Sequence, residues 1–144
     1  MKTYTIQEIG RQTELPASTL RYYEASGLLG EVGRDAAGRR VYTQFHLDRL
    51  GSIACYKGTG MTLAQLKEFF TYEENEAEHM EEILTLLRGQ KQHVEERIRQ
   101  SKKDYVHIQR KLDYFGGIRQ AKSEGKEPPA WEAYEKKEYP CDPE

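Results

Sequence analysis

The sequence predicts a mainly α-helical chain: a winged helix-turn-helix head, then one long helix that needs a partner, then a short polar tail. Three observations carry this. Capping boxes and a Pro/Gly pair mark out short helices in the first half. A turn-forming stretch rich in arginine interrupts them at 31–43. From Asn75 onward, apolar residues recur at three- and four-residue steps, with no proline until Pro128.

The first helix is predicted over 6–13. Thr5-Ile6-Gln7-Glu8 fits a capping box, and Tyr4 and Ile9 are placed as its hydrophobic staple. Leu15-Pro16 breaks that helix and Pro16 presets the next, over 17–25, which Gly27 closes. Two short helices joined by a tight turn make a helix-turn-helix. In 31-EVGRDAAGRRVYT-43, Asp35-Ala36-Ala37-Gly38 is turn chemistry, while Val41 and Tyr42 favour extended backbone, so a small hairpin or wing is expected. Thr43 opens a third helix carrying Phe45, Leu47, Leu50, Ile53 and Ala54, which ends near Gly58 and Gly60. A second capping box, Thr62-Leu63-Ala64-Gln65 with Met61 and Leu66 as staple, starts a fourth that runs to Tyr72.

The long helix is expected to begin at Asn75. Its seam runs through Met80, Ile83, Leu87, Gln90, Val94, Ile98, Ser101, Tyr105, Ile108, Leu112 and Phe115, with Gln90 and Ser101 as tolerated polar positions, a heptad pattern with one stutter between Val94 and Ile98. A lone helix with one narrow apolar stripe cannot bury it internally. A second copy of the chain is the simplest partner. Gly116-Gly117 is expected to end the seam. The divisions are therefore 1–74 for the head, 75–117 for the dimerisation helix and 118–144 for the tail. That tail carries Trp131, Tyr134 and Tyr139, enough aromatics to dock and too few apolar residues to fold alone.

Composition narrows the function classes. The 144 residues have a mean hydropathy of -0.88 and 32% charged residues, which suits long exposed helices. No apolar run approaches the roughly 20 residues of a membrane span, and no signal-peptide pattern opens the chain, so a cytoplasmic protein is expected. The net charge of -2 hides an asymmetry. Residues 1–60 hold eight Lys/Arg against six acids, and 61–144 hold fourteen against eighteen. Phosphate binding depends on the local field rather than on the global balance.

Helix two presents Ser18, Arg21 and Tyr22 near one face. Arginine offers a planar fork for guanine edges or phosphates, and hydroxyls donate to phosphate oxygens. The plainer alternative is that Arg21 and Glu24 pair at i,i+3 on a solvated surface. Arg34, Arg39 and Arg40 crowd one tight turn, which favours an anionic visitor. Lys57, near the end of helix three, is expected to add one further phosphate contact, the alternative being an ordinary solvated lysine.

The run Thr19-Leu20-Arg21-Tyr22-Tyr23-Glu24, then Gly27-Leu28-Leu29, then Arg34-x-x-x-Gly38-x-Arg40-x-Tyr42 resembles the signature of MerR-type transcriptional regulators. The resemblance spans about residues 4–70. It implies a winged helix-turn-helix reader, a long helix pairing as an antiparallel coiled coil in a homodimer, and control of double-stranded promoter DNA by bending and untwisting it, with RNA polymerase engaged indirectly. Carried over by position, Ser18, Thr19, Arg21 and Tyr22 lie in the major groove and Arg39, Arg40 and Tyr42 on the wing, while Tyr23 packs inside.

The sensor question turns on two cysteines that form no C-x-x-C. Metal-sensing members of that family carry paired cysteines beyond the long helix. Here Cys141 alone lies there, so neither a metal nor another cofactor is expected. The segment Ile53-Ala54-Cys55-Tyr56-Lys57-Gly58-Thr59-Gly60-Met61 is similar to that of the branch sensing aldehydes and other electrophiles through one cysteine. A nearby Lys57 would favour the thiolate; the alternative is an inert buried thiol serving as a small hydrophobe. His46, His79, His93 and His107 are scattered and read as surface or seam residues. Trp131 and Tyr134 are placed to cover the domain of Cys55. Two other readings stay open: a regulator of a non-covalent small ligand, and a coiled-coil adaptor binding protein. No arrangement for enzymatic catalysis emerges.

Overall fold

The computed structural model describes all 144 residues, which form two compact units, Met1–His93 and Val94–Glu144. In the first, the elements run β1 (Thr3–Tyr4), α1 (Ile6–Thr13), α2 (Ala17–Ala25), β2 (Gly33–Arg34), β3 (Arg40–Thr43), α3 (Gln44–Gly58) and α4 (Leu63–Glu73). α5 (Met80–Ser123) starts in the first unit and continues into the second, where α6 (Glu132–Glu135) follows.

Local chemistry accounts for the element ends. Thr5 Oγ1 accepts the Glu8 N–H at 3.1 Å to cap α1. At the end of α2, Gly27 adopts φ +80°, the Leu28 N–H donates to the Tyr23 carbonyl and the Gly27 N–H to that of Glu24. This is a Schellman closure, with its apolar contact supplied by buried Leu28 and Tyr23. Gln65 and Thr62 exchange both bonds of the box that opens α4.

The small sheet has the order β1-β3-β2, all antiparallel, with Tyr4 opposite Tyr42 and Arg34 opposite Arg40. The sequence predicts the hairpin but not β1, because two residues make a strand only when β3 arrives to pair with them. His46 departs from its surface reading: it is buried. Its Nδ1 accepts the Thr43 N–H at 2.9 Å and its Nε2 lies 3.0 Å from the Glu31 carbonyl. With Nδ1 accepting, Nε2 carries the proton and donates to that carbonyl, so a neutral imidazole ties the wing to the start of α3.

The core gathers Ile9, Leu20, Leu28, Leu29, Tyr42, Leu50, Ile53 and Leu66, all at most 2% exposed. It also takes in the start of α5. That helix begins at Met80, after a turn at 74–79, and not at Asn75. Ile83 is buried in the core, and Leu86 and Leu87 pack against it. Two residues assigned to the dimer seam, Ile83 and Leu87, are therefore used within the chain, because α3 and α4 alone leave this side of the core open to water.

In the second unit α5 passes through Gly116-Gly117 and stops at Ser123. The stop lies at Gly125, φ +66°, where the Lys126 N–H donates to the Ala121 carbonyl. Mid-helix glycine costs about 1 kcal/mol relative to alanine, and Gly117 has a packing reason. A Cβ there would sit 2.5 Å from Tyr134 Oη and 3.2 Å from Pro129 Cγ. The tail crosses α5 at that point. Trp131 and Tyr134 meet Tyr114 edge-on, with centroids 5.2 and 5.5 Å away. Tyr114 is thus a tail contact. Asp113 accepts from Lys137 Nζ and Tyr139 Oη, both at 2.7 Å. Arg110 donates to the Tyr134 and Lys137 carbonyls.

At ~100° per residue, Arg110, Asp113 and Gly117 lie roughly 100–160° around the helix from Leu112. The tail thus leaves the remaining seam open. Val94 and Tyr105 are half-buried, while Ile98, Ile108, Leu112 and Phe115 are exposed by 50, 57, 70 and 60%.

Candidate nucleic-acid interface

On the head, α2, the wing and the N-terminal segment enclose an open cleft of about 670 Å³. Thr3 to Glu8 form one wall, and Arg21, Arg34, Asp35, Gly38, Arg39, Arg40 and Val41 form the other. The first turn of α1 therefore faces the same space as four guanidiniums. That wall is a contribution the sequence did not announce, since only the pairing of β1 with β3 brings it there.

α2 places Ser18, Arg21 and Tyr22 at the surface, with Thr19 half-buried and Tyr22 56% exposed. Leu20 and Tyr23 fill the inward face, as amphipathic spacing requires. The Arg21–Glu24 pair offered as the plainer alternative does not form. Glu24 turns instead to the wing, with Oε1 3.3 Å from Arg34 Nη2 and Oε2 2.5 Å from Arg40 Nε. No local pattern signals this, because the partners lie ten and sixteen residues on.

The wing tip is built by Asp35. Its Oδ1 accepts the N–H groups of Ala37 and Arg39, both at 2.9 Å, and its Oδ2 accepts Arg39 Nε at 3.1 Å. The Arg39 N–H above all, with help from that residue's guanidinium, holds the Asp35 carboxyl below its ordinary value. Arg39 remains 80% exposed, so the outer edge of its fork is free for phosphate. Arg40 is only 25% exposed and committed to Glu24.

Tyr42 corrects the expectation of a wing contact to DNA. Its side chain is fully buried, and its hydroxyl has no hydrogen-bond partner. Residues alternate sides along β3, and the core takes the face that Tyr42 occupies. Burial pushes its phenol above the usual pKa. Lys57 is exposed on α3, with Nζ 3.3 Å from Tyr23 Oη and 5.8 Å from that ring's centroid.

Cys55 is exposed on α3, which removes the reading of a buried, inert thiol. The Lys57 ammonium proposed to assist it bonds to Tyr23. Cys141 is exposed as well, and no three His, Cys, Asp or Glu side chains are grouped to hold a metal ion. No helix is long and apolar enough to cross a membrane.

Two family models match. The MerR helix-turn-helix regulatory protein model covers residues 4–73 and the MerR DNA-binding model covers 47–104. An uncharacterized HTH-type transcriptional regulator of Haemophilus influenzae is 34% identical over 113 residues, 78% of this chain and 84% of that protein. The crystal structure of HiNmlR, described as a MerR family regulator lacking the sensor domain and bound to promoter DNA, superposes with a TM-score of 0.74 at 31% identity. The match covers 99% of this chain and 100% of that one. A MerR family transcriptional regulator from Bacillus thuringiensis aligns over 78% of this chain and 98% of its own, with 28% identity and a TM-score of 0.65. With an arginine-lined cleft between α2 and a wing, and relatives that are transcriptional regulators rather than enzymes, the chain belongs to the MerR family of helix-turn-helix regulatory proteins.

Proposed function

We propose that this chain is a cytoplasmic, homodimeric regulator that grips double-stranded promoter DNA with two heads and distorts it, engaging RNA polymerase indirectly. The observation that carries the reading is the cleft with Arg21 free on α2 and Arg39 exposed at the wing. Residues 1–74 supply the reader, with Ser18, Thr19, Arg21 and Tyr22 toward the major groove and Arg39 and Lys57 toward phosphates. α5 supplies the pairing helix, through Val94, Ile98, Tyr105, Ile108 and Leu112, and the segment after Ser123 a docked tail. The relative solved on promoter DNA shares this chain's length and fold, which supports the same partner here.

The test is binding of the purified chain to a duplex it selects from a random pool. Arg21→Ala is expected to weaken that binding by about 1–3 kcal/mol and to relax base preference at one position per half-site. Retention of both affinity and preference refutes the assignment.

The finer reading is a response to thiol-reactive electrophiles through Cys55. Its support is exposure: the thiol stands on the outer face of α3, where an electrophile reaches it from solvent.

A further inference from the structure

We propose that Glu24 sets the sequence specificity of the interface by holding Arg34 and Arg40 away from phosphates; this deepens, and rests on, the nucleic-acid reading above. Arg34 and Arg40 stand directly opposite one another across the β2–β3 ladder. Like charges in that register repel. The Glu24 carboxylate, reaching from α2, is held by both guanidiniums, and at 20% exposure it is partly screened from water. Arg34 has a second bond to the Gly38 carbonyl at 3.4 Å. Both arms of the wing are thereby tied to the recognition helix through one side chain.

The consequence follows from charge. Four guanidiniums line the cleft, those of Arg21, Arg34, Arg39 and Arg40. Glu24 engages two of them and Asp35 a third, leaving Arg21 without an ion pair. Each phosphate neutralised adds sequence-blind affinity that is lost as salt rises, with a slope of about -0.9 in log K against log salt. Base discrimination comes from groups that reach base edges. Releasing Arg34 and Arg40 therefore raises affinity for any duplex more than affinity for the preferred one, and it frees the wing from the helix that reads.

The experiment uses the full chain and two fluorescent duplexes: one selected from a random pool by the wild type, and one of the same composition with its sequence scrambled. Binding is followed by anisotropy from low to moderate salt. Glu24→Gln keeps the shape and removes the charge, and Glu24→Ala removes both. Both variants are expected to steepen the salt slope on the scrambled duplex by about one to two per head, and to reduce the selected-to-scrambled affinity ratio at least tenfold. Adding Arg34→Ala and Arg40→Ala to Glu24→Gln should return the slope to the wild-type value or below. A slope and ratio unchanged in variants with native circular dichroism overturns the proposal. So does a shallower slope with equal weakening on both duplexes, which marks a merely structural tie. A wild-type chain that selects no duplex overturns the nucleic-acid reading itself, and this proposal with it.

Discussion

Leu112 is the most exposed of the apolar seam residues, at 70%, and truncating it tests the homodimer directly. Leu112→Ala removes three carbons, each worth about 0.8 kcal/mol on burial, or ~2.4 kcal/mol in all. Scaled by the fraction exposed in the single chain, about 1.7 kcal/mol is lost per protomer, and a two-fold axis counts the change twice, giving ~3.4 kcal/mol. At 1.4 kcal/mol per tenfold, the dimer dissociation constant should rise by roughly 100- to 300-fold. Sedimentation equilibrium over a range of chain concentrations measures it. Because Leu112 is this exposed and takes no part in the tail contacts at Arg110, Asp113 and Tyr114, the circular dichroism spectrum should stay native. A dissociation constant within threefold of wild type, with the fold intact, would show that the dimer is held elsewhere or does not form through this stripe.

Three further outcomes are expected. Tyr42→Phe removes a buried hydroxyl with no partner, so the melting temperature should hold or rise and duplex binding should not change; a loss of about 1 kcal/mol or more would reveal a bond that this hydroxyl makes. The tail clamp has a two-sided pH response. Lys137, then Tyr139, lower the Asp113 pKa by hydrogen bonding, and Asp113 in turn raises that of Lys137. The carboxylate contribution is complete above the unfolded Asp value and is lost as pH falls through the depressed folded value. The ammonium contribution is complete below the unfolded Lys value and is lost as pH rises through the raised one. Emission from Trp131, the single tryptophan, should thus be flat between about pH 5 and 9 and change outside it, and Asp113→Asn should remove the acid limb. For the thiol, Cys55→Ser should leave operator binding intact and abolish the transcriptional response to aldehydes. An undiminished response refutes a sensor role for Cys55.

Much of this fold is legible because it is written locally. The Thr5 cap, which forms without the returning Glu8 bond of a full box, the Thr62 box, Pro16, Gly27 and the Asp35-x-x-Gly38 turn each act within about five residues, and the observed ends of α1, α2, the wing and α4 follow them. Periodicity likewise marks the exposed apolar stripe of α5, since spacing along one helix is a property of the chain alone. Tertiary structure decided the rest. It drew Ile83 and Leu87 into the head core, carried α5 past Gly116-Gly117 because the tail packs over Gly117, and buried Tyr42 by the side β3 turns inward. It also chose the partner of Glu24. A carboxylate with one arginine three residues away and others ten and sixteen away goes where the folded backbone places a guanidinium within bonding distance, and no spacing rule contains that distance. The sequence names the charges that meet the cleft; only the packed wing decides which of them remain free.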